Sequence, residues 1–449
     1  MLSRKLLSAC LILFASSTAA GPVHEYHLQN GLKLIVKEDH RSPVVVSQIW
    51  YKVGSSYEVD GNTGLAHVLE HMMFKGTKNL GPNEFSRIIA ENGGRENAFT
   101  SRDYTAYFQR LESSRLEVSF KHEADRMSNL VLSEEEFQKE VKVVMEERRL
   151  RTDDKPKSLT YEQFQATAFT NSPYRNPVIG WMVDLEQMKL EDLEQWYRSW
   201  YRPNNATIVV VGDVEPEAVL ALAKRYFGPL KPGTIPLLKT RTEVKQLGER
   251  RITMKVPAQL PYVMMGYKVP VVAHAEVDWE PYALDVLSAI LGGANSARLT
   301  RDLVRSSSLA VSAGSDYSAF SRLNGLFLLD ATPTPEHSTA EVESALRAQV
   351  ETMSKELVTG DELDRVKAQV VAAKVFEQDS GFYQAMQIGR LETVGLSWKL
   401  LDEYPHRIRA VTAEQVRAVA KKYLLEDQLT VATLQPLSMK KADAMGTEN

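Results

Sequence analysis

The stretch GLAHVLEHMMFKGT, at residues 64–77, determines most of what the sequence predicts. Its apolar residues recur with the period of a helix, which we place at about 64–74. His67, Glu70 and His71 stand at positions i, i+3 and i+4 and therefore share one helical face. Two imidazoles one turn apart can chelate a zinc ion, and the carboxylate beside them can accept a proton from water.

A solvated helix that carries two histidines by coincidence is the simpler explanation of this motif. With nine histidines in the chain, such a match arises in roughly one of a hundred sequences. The neighbouring residues also argue against it, because histidines buried among apolar side chains are costly without a ligand. These neighbours are Leu65, Val68, Leu69, Met72, Met73 and Phe74. We therefore expect one zinc ion per chain, with His67 and His71 as ligands and Glu70 as the base.

A catalytic zinc site needs a third protein ligand, which we seek on a second predicted helix at 133–151. Ser133 and Glu136 form a capping box that marks the start of this helix. Glu140 and Glu147 are seven residues apart and flank the same apolar stripe, whereas Glu146 is rotated about 100° from Glu147, toward solvent. A charged, solvated face would also explain any one of these carboxylates, so helical rotation alone leaves the ligand open.

The organisation of the chain predicts an α+β fold in two halves of similar size. Segments 96–109 and 205–211 have strand-like composition, and helices are expected at 83–92, 113–130 and 217–226. The same order of strands and helices returns after a stretch rich in Pro, Gly, Lys and Thr, which suggests a duplication. We place an N-terminal domain at 21–228, a linker at 229–247 and a C-terminal domain at 248–440.

The N-terminus is typical of an export signal. Arg4 and Lys5 precede an apolar core, and the small residues before Gly21 predict cleavage near Ala20, so residues 1–20 are assigned as a signal peptide. A lipoprotein box ending at Cys10 is disfavoured because it lies inside the apolar core. The expected product is an exported, periplasmic chain without disulfides, since Cys10 is the single cysteine.

The composition excludes two other classes of protein. With 43% hydrophobic and 25% charged residues and a net charge of −4, the chain is an ordinary globular protein that lacks the basic surface of nucleic-acid binders. After residue 20, no segment approaches the roughly 20 apolar residues of a membrane-spanning helix.

Several separated motifs accompany residues 67–71. They are FKGT (74–77), GGRENAFT (93–100), TAYF (105–108), residues 140–147, PYR (173–175), YRPNN (201–205) and VGDV (211–214). With these motifs in this order, the chain resembles the pitrilysin/insulinase-type inverzincin metallopeptidases, which include the mitochondrial processing peptidase. The similarity extends from about residue 24 to the C-terminus.

This resemblance implies two homologous α/β-sandwich domains of the LuxS/processing-peptidase-like type and the activity of a zinc metalloendopeptidase. It selects Glu147 as the third metal ligand and Glu140 as a residue that supports the site, with Glu70 as the catalytic base. It also implies that one strand binds extended peptide substrates through its backbone. That strand maps onto Asn97, Ala98, Phe99 and Thr100.

The second half departs from the family pattern at two positions. Competent members carry an arginine and, seven residues later, a tyrosine that contact the substrate, but here Val304 and Val311 occupy these positions and Arg305 is out of phase. We therefore expect a homologous partner subunit, in a heterodimer or homodimer, that carries this Arg/Tyr pair. The alternative function is a zinc-loaded subunit that binds peptides or holds an assembly together with negligible hydrolysis.

Overall fold

The structure is a computed structural model that describes residues 21–239 and 241–438. The predicted signal peptide and Cys10 lie outside these residues. In the first half, the strands are β1 Val23–His27, β2 Lys33–Glu38, β3 Val44–Tyr51, β4 Arg95–Thr100, β5 Thr105–Glu112 and β6 Ala206–Gly212. Its helices are α1 Leu65–Met72, α2 Glu84–Glu91, α3 Leu116–Asn129, α4 Glu134–Arg148, α5 Pro156–Ala168, α6 Met182–Gln187, α7 Leu190–Trp200 and α8 Pro216–Tyr226.

The second half repeats this mixture of strands and helices. Its strands are β7 Arg250–Pro257, β8 Tyr262–Val269, β9 Ala310–Asp316, β10 Gly325–Pro333 and β11 Leu429–Leu437. Its helices are α9 Glu280–Gly292, α10 Thr339–Lys355, α11 Gly360–Glu377, α12 Gly381–Thr393, α13 Leu400–Ala410 and α14 Ala413–Tyr423. Within the described residues, no helix has both the length and the apolar content needed to cross a membrane.

The second sheet repeats the order of five of the six strands of the first sheet, and β1 has no counterpart in it. The first sheet has the order β1-β2-β6-β3-β5-β4, and the second has the order β7-β11-β8-β10-β9. In each half, the last strand lies between the first two strands of the shared pattern, parallel to one and antiparallel to the other. This repeated order confirms the predicted α+β class with two similar halves.

Each half contributes a helix to the sheet of the other half. Helix α5 belongs to the first half by sequence, but its Phe164 packs with Tyr262 and Met264 of the second sheet. Helix α12 belongs to the second half, and its Ile388 packs with Trp50 of the first sheet. A Cβ added at Gly389 would lie 2.1 Å from the Trp50 indole, which explains a glycine inside this helix. The halves are therefore packed together through two apolar interfaces.

The predicted strand at 96–109 is wrong in one respect, because the structure has a hairpin in which Thr100 pairs with Thr105. The connection lacks glycine and proline. Another segment of the chain holds this turn in place, since the backbone N–H groups of Ser55 and Ser56 donate to the carbonyls of Ser101 and Arg102, at 3.1 and 2.7 Å. Strand β4 consequently forms an edge of its sheet, with one side unpaired within the described residues.

Candidate metal centre

Helix α1 buries one face and presents the other to a cleft. Leu65, Ala66, Val68, Leu69 and Met72 are buried in the first core, as the apolar spacing of the motif requires. His67, Glu70 and His71 lie on the remaining face and line a cleft of about 660 Å³.

The start of α1 is fixed by a carboxylate that sequence analysis missed. Gly64 precedes the helix with a φ of 93°, a left-handed conformation that favours glycine. The backbone N–H groups of Gly64 and Ala66 donate to the carboxylate of Glu58, at 2.9 and 2.8 Å. Burial raises the pKa of Glu58 to about 8 despite these two hydrogen bonds. No capping motif in the sequence points to Glu58, because it lies six residues before Gly64.

Helix α4 places Glu147 opposite the two histidines. Oε2 of Glu147 lies 3.7 Å from Nε2 of His67 and 3.6 Å from Nε2 of His71. The three candidate ligand atoms all lie within 4.8 Å of one another. These distances are too long for hydrogen bonds, but they suit three donors arranged around one small cation.

The chemistry of these donors fits zinc. Two imidazole nitrogens and one carboxylate oxygen make a three-ligand set that leaves a fourth position open, as catalytic zinc sites require. Burial lowers the pKa of His67 to about 3, which keeps its imidazole neutral and able to bind a cation. The other carboxylate oxygen of Glu147, Oε1, pairs with Nη1 of Arg151 at 2.6 Å, so Oε2 remains directed at the histidines.

Glu140 orients His71. Its Oε2 accepts a hydrogen bond of 3.1 Å from Nδ1 of His71, while its Oε1 pairs with Nζ of Lys75 at 2.6 Å. Because an ionised carboxylate only accepts, the neutral form of His71 carries its proton on Nδ1 and its lone pair on Nε2, facing Glu147. Burial opposes the charged form of His71, but the hydrogen bond to Glu140 raises its pKa overall.

Glu70 lies beside this group and is held by strand β4. The hydroxyl of Thr100 donates to Oε2 of Glu70 at 2.5 Å. Burial raises the pKa of Glu70 above its ordinary value, since desolvation outweighs this hydrogen bond. A carboxylate with a raised pKa is suited to accept and return a proton near neutral pH.

The structure brings the sequence-predicted residues into one place. The lining of the cleft includes His67, Glu70, His71 and Glu147 together with Asn97, Ala98, Phe99 and Thr100. Glu140 contacts His71 through the Nδ1 atom of its ring. Glu146 is 65% exposed and pairs with Arg149, so it points away from the histidines. The roles of these residues remain predictions, but their positions are compatible with them.

Val304 and Val311 lie outside the cleft that holds the candidate metal ligands. Val304 packs against the second core, and Val311 on β9 is 53% exposed. Neither residue lines the cleft of this chain.

A buried ion pair that the sequence did not reveal connects α4 to the opposite wall of the cleft. Nη1 and Nη2 of Arg148, next to Glu147, donate to the carboxylate of Glu162 on α5, at 2.6 and 2.8 Å. Arg148 also donates to the carbonyl of Gly180 at 3.0 Å. Since both charges are buried, their mutual contact fixes the end of α4 and thereby the position of Glu147.

Known proteins match this chain along most of its length. Residues 33–181 match the family model described as Insulinase (Peptidase family M16), and residues 187–370 match that of the Peptidase M16 inactive domain. The chain is 34% identical over 424 residues to the zinc protease PqqE of Helicobacter pylori, a match that covers 92% of this chain and 93% of the relative.

Solved structures share the fold. The crystal structure of a protease from Helicobacter pylori superposes with a TM-score of 0.87 at 33% identity, covering 93% of this chain and 100% of that one. The periplasmic protease PqqL from Escherichia coli has a TM-score of 0.78 at 19% identity, over 96% of this chain and 50% of that one, and shows the shared fold alone. From its matches along both halves, the chain belongs to the M16 peptidase family.

Proposed function

We propose that the chain is a zinc metalloendopeptidase that hydrolyses peptide bonds in short or unfolded polypeptides. The observation that carries the proposal is the convergence of His67, His71 and Glu147 within 4.8 Å, in the same cleft as Glu70. His67, His71 and Glu147 would hold one zinc ion. When bound, the zinc would polarise the scissile carbonyl and would lower the pKa of the attacking water.

The residues of the chain supply the proton transfers and the binding of substrate. Glu70 accepts the proton of the attacking water and returns it to the leaving amine. Thr100 holds one oxygen of Glu70 at 2.5 Å, which directs the other oxygen for this transfer. The free edge of β4, at residues 97–100, pairs with the backbone of an extended peptide, so an unfolded segment is the form of substrate that fits.

A homologous partner subunit is part of the proposal. The described cleft is lined by residues 67–179 of the first half, and neither Val304 nor Val311 reaches it. In the family pattern, an arginine and a tyrosine at these two positions contact the substrate. A partner that carries this pair would complete the site, as a heterodimer or as a homodimer of the same architecture.

Export to the periplasm is the proposed location. It rests on the signal-like residues 1–20.

Partner dependence gives a testable prediction. Misplaced substrate reduces the rate of an enzyme by about 10²-fold, so the chain alone is expected to be a poor peptidase. Mixing it with a homologous subunit that has the Arg/Tyr pair and a degraded zinc motif should raise kcat/KM for an unstructured peptide by about that factor. The measurement is fluorogenic peptide hydrolysis by each subunit and by the mixture.

The control for this assay is the same mixture with the arginine and tyrosine of the partner replaced by valine. Full activity from this chain alone would show that the two valines are irrelevant to catalysis. Zinc binding and peptide binding without hydrolysis, alone and in the mixture, would instead support the alternative of a zinc-loaded binding or assembly subunit.

A further inference from the structure

Three arginines line the candidate cleft, and two of them are neutralised by carboxylates. Nη1 of Arg151 pairs with Glu147 at 2.6 Å. Nη2 of Arg175 pairs with Asp60 at 2.5 Å. Arg102 is the third, and within the described residues no carboxylate oxygen lies within 4.0 Å of its guanidinium.

The guanidinium of Arg102 is also short of neutral acceptors. Its Nη2 donates to the hydroxyl of Tyr161 at 3.3 Å, and its Nε is buried without an acceptor among the described residues. The ring of Tyr174 packs 5.3 Å from the Cζ atom of Arg102. An arginine has five N–H donors, so most of the hydrogen-bonding capacity of Arg102 is unused.

The carboxylate next to Arg102 in the sequence, that of Asp103, accepts hydrogen bonds from other groups. Oδ1 of Asp103 accepts from the hydroxyl of Ser56 at 2.8 Å, and Oδ2 accepts from the backbone N–H of Arg322 at 3.1 Å and from the hydroxyl of Tyr174. Asp103 is buried and fixes the β4–β5 turn against the second half. The turn therefore holds Arg102 at the cleft without neutralising it.

The position of Arg102 relates it to the path of a bound peptide. It follows the last residue of β4, Thr100, by two positions, and Thr100 contacts Glu70. Tyr161, the hydrogen-bond partner of Arg102, lies on α5 and lines the same cleft. Arg102 and Tyr161 therefore lie in the same cleft as Glu70, and Arg102 follows closely the end of the strand edge on which the proposed substrate would pair.

We propose that Arg102 and Tyr161 form a subsite that binds a carboxylate of the peptide substrate and selects it near the scissile bond. The guanidinium offers paired N–H donors that match the geometry of a carboxylate. The hydroxyl of Tyr161 accepts from Arg102, so its own proton can be donated to the ligand. The inference rests on the proposed peptidase function, since it assigns a specificity to the same cleft.

The carboxylate can come from two sources, an internal Asp or Glu side chain or the C-terminus of the peptide. We expect an internal side chain, because the proposed activity is that of an endopeptidase, whose substrates extend on both sides of the scissile bond. Peptides with a free acid or an amide at the C-terminus distinguish the two sources.

The test measures binding as well as hydrolysis. Fluorescein-labelled, unstructured peptides carry a single Glu, Gln or Lys that is moved along the sequence, and their affinities are measured by anisotropy with the Glu70→Gln protein. At one peptide position, we expect Glu to bind at least about tenfold more tightly than Gln. The preference should disappear in Arg102→Gln and shift toward Lys in Arg102→Glu. Arg198→Gln, a mostly exposed arginine on α7 that pairs with Glu194, is the charge-matched control and should retain the preference.

Equal or absent binding of the Glu and Gln peptides at every position would overturn the subsite, as would a preference that survives Arg102→Gln. A preference that follows the C-terminal acid would assign the subsite to the peptide terminus and overturn the internal assignment. Failure of the unmodified protein and its partner to hydrolyse any of these peptides would contradict the proposed function, whereas the binding preference would still decide the role of Arg102.

Discussion

Replacing Glu70 with glutamine is expected to lower kcat for peptide hydrolysis by about 10²- to 10⁴-fold, the contribution of a general base. Glutamine keeps the shape of the side chain and can still meet the hydroxyl of Thr100, but it cannot accept the proton of water. The three candidate ligands are untouched, so the zinc content should remain at one ion per chain. The measurement pairs hydrolysis assays with metal analysis on the same samples.

Glu146→Gln is the matched control for this loss of activity. Glu146 carries the same charge near the cleft, but its side chain is 65% exposed and pairs with Arg149. Its substitution should leave both kcat and zinc content unchanged. Turnover by Glu70→Gln at the rate of the unmodified protein would remove the proposed role of Glu70, and loss of zinc would mean that Glu70 is itself a ligand.

Loss of the metal is the second large effect that we expect. His67→Ala, His71→Ala and Glu147→Gln each remove one of three donors, so the purified variants should contain far less than one zinc per chain and show no hydrolysis. Glu140→Gln should be milder, because Glu140 orients His71 without contacting the metal. Substitution of such an orienting residue weakens metal affinity by about 10- to 100-fold.

Competition with chelators of graded affinity, followed by elemental analysis, measures these differences. The expected order of zinc affinity is the unmodified protein and Glu146→Gln together, then Glu140→Gln, then the three ligand variants. Stoichiometric, tightly bound zinc in Glu147→Gln would mean that another carboxylate is the third metal ligand. Equal losses of zinc affinity in Glu140→Gln and Glu147→Gln would mean that Glu140 is also a ligand.

The central motif could be predicted because it is local. His67, Glu70 and His71 share a face through helical geometry alone, and the structure keeps them together on α1. The position of Glu147 across the cleft required the family pattern, since rotation on α4 left two carboxylates open. The structure separates them, with Glu140 bonded to Nδ1 of His71 and Glu147 facing both Nε2 atoms.

The long-range contacts could not be predicted. The apolar period of a helix shows that it has a buried face, but not which sheet covers that face. The packing of Phe164 on the second sheet and of Ile388 on the first therefore had no signal in the sequence. The hairpin after Thr100 was missed for a similar reason, because its turn is held by Ser55 and Ser56. Arg102 was not recognised either, since only the packed structure shows that it lacks a carboxylate.

The most direct test of the account is an anomalous difference map measured at the zinc absorption edge from crystals of the purified protein. The account predicts one peak per chain, in contact with Nε2 of His67, Nε2 of His71 and the carboxylate of Glu147, with Glu70 nearby but not coordinating. A zinc-loaded protein whose peak lies on other donors, or a cleft that stays free of metal in the presence of zinc, would contradict it.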